Sequence, residues 1–565
     1  AADPATARVY ALAASQGDSA SATVGILRSN DGGQAWSVVA RNTAPITAPV
    51  NPTTGSADCA TLNLGHAQSY YDLAIAADPG NPDNVFAAGD LCSARSRDGG
   101  ATWELVSHWL PTSGRGTTAR GPLPYAHADW HAAAVYRVNG KAVVLGGNDG
   151  GFFVSRDVFD ADQGEQVHWD QPDYGMATHL MYSVGTGDPA TGNPGVLFSG
   201  LQDNGTRWSF TADNEAVIAT SVETKVWDQL IGGDGIGTAV SLDPAGRNPV
   251  LWASVQQSRR FCRPRARDCG VPTRIERGTE RSNWLSLSLS GLLPAGDGEP
   301  FFIRYADLGD GWVASATNQN VWRFRPNEND QVSFSRLTNG ITGCGTATNR
   351  TIRGIGPTVL TSATVDGVPA RLYGLALNGG CAAIVTEKTQ AGTVSVTGAL
   401  SSIRATDAGG NAFLVSFTSS VAMPRNPASL GGTDPRLTYL VSSNAPAGLD
   451  ASSFAVVPIP AGVGRLFRTT DGGATWSAFH GNGTGLDLPN VGVYVVRYDT
   501  SDPTDQTIYA GTELGLYRTT DGGQTWARFG VGLPLVRVTD VAISRSGAVV
   551  RASTFGRGMW ELQVK

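Results

Sequence analysis

The chain is predicted to be all-β, and three features carry that prediction. Of its 565 residues 71 are glycine and 30 proline, while charged residues make up only 16%. Such punctuation suits short strands joined by many tight turns rather than helices. Apolar residues alternate in short runs, as in Val491–Tyr498, and no convincing helical period is present. Finally, the pattern Ser/Thr-x-Asp-Gly-Gly-x-x-Trp occurs at Ser29–Trp36, Ser96–Trp103, Thr469–Trp476 and Thr519–Trp526.

Each copy follows an alternating apolar run, and its Trp opens another, so the pattern reads as a hairpin turn. The Asp side chain bonds the turn backbone, the two glycines take positive φ, and the Trp packs back over the turn. These Asp and Trp residues are therefore expected to be structural, not catalytic. A degenerate copy, Ser155-Arg156-Asp157, has its Trp displaced to Trp169, as though the turn were enlarged.

A longer period surrounds these turns: strand, turn, strand, short turn, strand, Asp-Gly-Gly turn, strand. Four antiparallel strands in roughly 50–65 residues is the pattern of a β-propeller blade. About 8–10 such units are expected near 1–40, 66–107, 127–171, 181–210, 227–289, 301–337, 351–398, 411–479, 491–530 and 538–562, in one large ring rather than two. Ala2-Asp3-Pro4 aligns with Ala77-Asp78-Pro79 in mid-repeat, with no inner strand before it. From this, upstream sequence is expected to be missing unless the strands around Val9–Ala13 and Ile26–Ser29 pair with those near Val549–Ser553 or Met559–Leu562.

A net charge of −7 and no basic stripe argue against nucleic acid as a partner. The arginine-rich segment 259–267 reads as a solvated loop. No apolar run is long enough to span a bilayer. The six cysteines include no CxxC pair, which makes zinc ribbons and redox motifs poor readings. Pairing of sequence neighbours gives 59–92, 262–269 and 344–381, and places the chain in an oxidising compartment: secreted, periplasmic or at the cell surface.

In a propeller the starts of inner strands and the second-to-third strand turns share one face, where ligands usually bind. Those positions hold Tyr70, Tyr71, Asp72, His127, Asp129, His131 and Asp234 on the one hand. The turns contribute Asp90, Asp149, Gln202, Asp203, Asn204, Asn318, Gln319, Asn320, Glu513 and Arg557. The face is thus acidic and amide-rich. His127-Ala-Asp129-Trp-His131 is the sharpest cluster, since strand alternation puts both imidazoles and the carboxylate on one side. The set suits a divalent metal, acid–base work or a hydrogen-bonded channel lining. For Gln202–Thr206 and for Asp234 between glycines, a turn is the alternative to a ligand contact.

Several words of the chain resemble secreted bacterial BNR-repeat, or Asp-box, β-propeller proteins of the sialidase- and xyloglucanase-like kind. They are Gln68-Ser-Tyr-Tyr-Asp72, His127-x-Asp129-x-His131, Gly147-Asn-Asp-Gly-Gly151, Gln202-Asp-Asn-Gly205, Gly232-Gly-Asp-Gly235 and Thr554-Phe-Gly-Arg-Gly558, beside the four Asp-Gly-Gly turns. The resemblance implies a glycan-directed protein, glycosyl-hydrolase-like if an enzyme. The Arg-Ile-Pro word of sialidases is missing; Phe302-Ile-Arg-Tyr305 is not it. A hydrolase would draw its two carboxylates from Asp72, Asp129, Asp203 and Asp234, about 5 Å apart for retention and about 6.5–9.5 Å for inversion. Tyr70, Tyr71, His127, His131, Asp149, Gln202, Asn204, Glu513 and Arg557 would bind substrate. The alternatives are a non-catalytic propeller binding carbohydrate or protein, and a metal-dependent lyase or hydrolase using His127, Asp129 and His131. No other cofactor is expected.

Overall fold

The computed structural model describes residues 7–15, 22–47, 59–109, 125–162, 167–172, 176–186, 197–210, 226–242, 249–262, 284–327, 329, 331–341, 358–377, 380–397, 403–406, 412–415, 418–444 and 465–564. Among them the chain is all-β, with no α-helix and one short 3-10 turn at Pro427–Leu430. No helix among the described residues is long and apolar enough to cross a membrane. The chain divides into two compact units, the first ending at Met176 and the second beginning at Ala177.

Among its described residues the first unit holds three sheets. Strands β1 (Val9–Ala14), β2 (Thr23–Ser29) and β3 (Ser37–Arg41) form one. A two-residue strand β4 (Ile46–Thr47) lies parallel to the outer edge of the next sheet, a meander of β5 (Ala74–Asp78), β6 (Asn81–Ala88), β7 (Cys92–Ser96) and β8 (Trp103–His108). The third comprises β9 (Trp130–Val138), β10 (Lys141–Asn148) and β11 (Gly151–Ser155), with a single bridge, Val154 to Asp170, in place of a fourth strand. First strands pack on one another in order, β1 on β5 and β5 on β9. Asn139 and Gly140 join β9 to β10 at φ 50° and 80°, the two left-handed residues a two-residue hairpin needs.

The second unit repeats this arrangement. Its sheets are β12–β15 (Gly185–Thr186, Leu197–Leu201, Gly205–Phe210, Val226–Ile231), β16–β19 (Thr238–Leu242, Pro249–Val255, Ser258–Cys262, Leu285–Leu287) and β20–β23 (Tyr305–Asp307, Val313–Ala316, Val321–Pro326, Val332–Arg336). Next come β24–β27 (Thr358–Val365, Val368–Leu377, Cys381–Lys388, Thr393–Thr397), a hairpin β28–β29 (Arg404–Thr406, Ala412–Leu414) and β30–β33 (Ser420–Ala422, Tyr439–Ser442, Leu466–Thr469, Ser477–Ala478). Last are β34–β37 (Val493–Tyr498, Ile508–Thr512, Gly515–Thr519, Ala527–Phe529) and β38–β40 (Val538–Ile543, Val549–Thr554, Met559–Gln563). The first strands neighbour one another in the order β12, β16, β20, β24, β30, β34, β38. The last sheet then bonds to the segment that opens the first. Met181 N–H donates to Thr554 O at 3.0 Å, Thr539 Oγ1 to Met181 O at 2.6 Å, and Val184 N–H to Asp540 Oδ2 at 3.2 Å.

These contacts correct three expectations. The repeats fall into two units rather than one series, because Met181 is already bridged to Leu201 on one side and bonded to Thr554 on the other. Segment 226–231 is the outer strand of the β12–β15 sheet, so the unit expected to open at 227 opens at Thr238. Strands β1–β3 and β38–β40 are separate sheets, and no ladder joins them among the described residues.

All four Asp-Gly-Gly turns have one geometry. Ser29, Ser96, Thr469 and Thr519 each donate a hydroxyl to the following Asp and accept the N–H of the second Gly, whose φ lies between 87° and 95°. At the last turn Asp521 Oδ1 also accepts Gln524 N–H and Thr525 N–H, both at 3.0 Å, and Oδ2 accepts Thr525 Oγ1–H at 2.5 Å. In the enlarged copy, Ser155 still donates to Asp157 at 2.9 Å, and Trp169 Nε1–H reaches Val106 O at 2.8 Å. Asp521→Ala should therefore cost about 2–3 kcal/mol through lost turn bonds, measured as a lower urea midpoint. A variant as stable as the parent would show that the carboxylate does not hold the turn.

Cys59 and Cys92 form a disulfide, as neighbour pairing expects. Cys262 and Cys381 are disulfide-bonded as well; the expected pairings 262–269 and 344–381 involve residues outside the described ones.

Candidate functional site

In the first unit, three inner-strand starts and turns converge. Asp72 stands two residues before β5, Asp129 immediately before β9, and Asp90 in the turn between β6 and β7. That turn is tightly held: Asp90 N–H donates to Leu64 O at 2.9 Å, and the disulfide anchors Cys92 two residues on. A Cβ on Gly89 would lie 2.5 Å from Leu64 backbone atoms, so the close approach needs glycine.

Oxygen atoms of Asp72, Asp90 and Asp129 lie within 4.8 Å of one another. Asp72 has no exposed surface, and neither of its carboxylate oxygens nor Asp129 Oδ1 receives a hydrogen bond from a backbone or basic group. Burial first, and then the neighbouring negative charge, pushes the Asp129 carboxyl far above the ordinary carboxylate range. Burial also raises Asp72.

Around this acidic core stand the imidazoles and tyrosines. His131 Nε2–H donates to Asp149 Oδ1 at 2.7 Å, its Nδ1 lies 3.2 Å from Tyr71 O, and Asp72 Oδ1 is 4.0 Å away. The Tyr71 ring meets His131 edge-on at 4.6 Å, and its hydroxyl reaches Asp149 Oδ2 at 3.4 Å. Tyr70 and Tyr71 are 61% and 46% exposed. His66 Nδ1 lies 3.4 Å from Asp90 Oδ2. Sequence reasoning named Asp90 only as a turn position and passed over His66, whose left-handed φ of 44° carried no sequence mark.

The expected His127, Asp129 and His131 set is not assembled as one ligand group. Strand β9 begins only at Trp130, and Asp129 has a left-handed φ of 63°, so pleat alternation does not run through the three. His127 packs instead on Gly150, where a Cβ would lie 2.3 Å from it, while Asp129 turns towards Asp72 and Asp90.

Asp203 and Asp234 belong to the second unit. Asp234 Oδ1 accepts Asp203 N–H at 2.7 Å, a bond across 31 residues, and Asp203 has a left-handed φ of 56°. Gln202 Oε1 accepts Tyr182 O–H at 2.9 Å, and Asn204 Nδ2 donates to Gln202 O at 3.1 Å. Glu513 Oε1 accepts Tyr494 O–H at 3.2 Å. Arg557 is exposed and bonds only the local backbone, while Arg537 lies 4.7 Å from the Tyr494 ring and 5.1 Å from that of Phe555. Tyr182 packs against Phe302 and Phe555.

His179, whose carbonyl accepts Gly556 N–H at 2.9 Å, marks the junction of last and first sheets. Burial, and then the charge of Arg207, pushes its pKa from 6.5 down to about 4. The unfolded chain therefore binds a proton in that window that the folded one refuses, and stability present above pH 6.5 is lost as pH falls towards 4. The loss should reach ~2 kcal/mol and be smaller in His179→Gln, measured by urea unfolding at pH 7 and pH 4.5. Equal losses in both proteins would remove His179 as the cause.

No protein-family model and no curated protein sequence matches this chain.

Proposed function

We propose that the chain is a β-propeller protein of the Asp-box kind, with its second unit a ring of seven blades, and that its first unit binds glycan. The ordered first strands and the bonds from β38–β40 to Met181 and Val184 support the ring. A buried disulfide supports export to an oxidising compartment.

One observation carries the glycan reading: the exposed rings of Tyr70 and Tyr71 stand beside the bonded His131–Asp149 pair. Sugar rings present apolar C–H faces for aromatic packing and hydroxyls for carboxylate and imidazole partners, and this shelf supplies both. Hydrolysis by Asp72 and Asp129 is not part of the proposal. Asp72 has no surface with which to touch a substrate.

Affinity electrophoresis against neutral and acidic polysaccharides tests the reading. At least one should retard the protein, and Tyr71→Ala should weaken that binding fivefold or more, the consequence of losing about 1 kcal/mol of aromatic contact. Retardation by none, or equal retardation of parent and variant, would defeat it. New reducing ends that vanish in Asp129→Asn would restore the hydrolytic alternative.

A further inference from the structure

We propose that Asp72, Asp90 and Asp129 form a binding site for a hard divalent cation, calcium being the best fit. Three carboxylates drawn from three separate loops bring oxygen atoms within 4.8 Å of one another, close enough to ligate one ion. An acidic cluster alone would say little. The second observation is the Asp72 side chain, which has no exposed surface, offers an oxygen to the cluster and has a hydrogen bond at neither oxygen. Burying such a group without a partner is costly, and a cation is the partner that satisfies several carboxylate oxygens at once. Asp129 Oδ1, buried and likewise without such a donor, faces the same need.

No arginine or lysine is paired with these acids; His66 at 3.4 Å from Asp90 and His131 at 4.0 Å from Asp72 are the only basic groups paired with them among the described residues. Oxygen-only donors select calcium, magnesium or manganese over zinc, which prefers nitrogen and sulfur. Calcium suits best, because carboxylates from separate loops offer irregular geometry and the site is largely closed to the several waters that magnesium keeps. The ion would also tie the start of β5, the β6–β7 turn and the start of β9 into one knot beneath the tyrosine shelf. The glycan reading is not needed for it.

The test uses the full chain stripped with chelator and then titrated calorimetrically with calcium, magnesium or zinc chloride. Calcium should bind with a stoichiometry of one and raise the melting temperature of the first transition. Asp90→Asn, which keeps the shape of the side chain, should weaken calcium tenfold or more. Asp170→Asn, an exposed acid in the same unit, should leave the affinity as it was. Asp72→Asn tests the buried member, and if it fails to fold the Asp90 and Asp170 pair still decides. Unfolding on chelation with refolding on calcium would support the site. No heat or melting shift with calcium, equal affinity in Asp90→Asn and the parent, or binding of zinc alone would each overturn it.

Discussion

Replacing Asp540 by alanine is expected to destabilise the second unit by about 3–5 kcal/mol, the usual cost of removing one partner of a buried ion pair. Asp540 lies on β38, and its side chain is only 14% exposed. Its Oδ1 accepts Arg497 Nη2–H at 3.1 Å, its Oδ2 accepts Val184 N–H at 3.2 Å, and Arg304 Nη1 stands 4.0 Å away. Alanine therefore leaves two guanidinium groups without their counter-ion and breaks a bond between the last sheet and the first. Burial already disfavours the Arg304 charge, and the Asp540 carboxylate is the group that opposes this. Asp540→Asn should fall between the two, keeping an acceptor for Val184 while losing the charge. Calorimetry should show the second-unit transition lowered and limited proteolysis should open the chain near residues 177–184. If Asp540→Ala melts with the parent, the junction of last and first sheets does not hold the unit together.

Trp130→Ala should cost a comparable 3–5 kcal/mol, this time in the first unit. The indole has no exposed surface and sits among Phe86, Trp169 and Phe153 at centroid distances of 5.5, 5.4 and 6.3 Å. It fills the space between the β5–β8 and β9–β11 sheets, where a Cβ on Gly146 would come within 2.0 Å of the ring. Removing it leaves a cavity that rigid strands on either side cannot close, and it loosens the chain between Asp129 and His131. The expected result is a lower first-unit melting transition with the second unchanged, and a weaker calcium titration. A loss below 1 kcal/mol would mean that the sheets collapse onto the gap and that Trp130 does not set their spacing.

The Asp-Gly-Gly turns were fully legible in the amino-acid order, because every bond in them joins residues within four positions of one another. The alternating strands were legible from the period-two pattern, and the Cys59–Cys92 pairing, across 33 residues, from neighbouring cysteines in the chain. The gathering of Asp72, Asp90 and Asp129 was half legible: strand starts and turns named the positions, but not which of them meet. What misled was Asp129, where strand alternation suggested a shared face with His127 and His131. Its left-handed backbone breaks the alternation, and a long-range bond from its N–H to Asp90 O at 2.7 Å accompanies that conformation.

The order of residues by itself thus determined the strand-and-turn repeat, the structural role of the Asp-Gly-Gly residues and the acidic character of the inner-strand starts. Tertiary structure alone decided that the repeats divide after Met176, that β38–β40 bond back to Met181 and Val184, and that Asp72, Asp90 and Asp129 bring oxygen atoms together. The physical reason is range. Turns and pleats are set by bonds between near neighbours, whereas sheet order and burial depend on contacts such as Val184 to Asp540, separated by 356 residues, which no local pattern specifies.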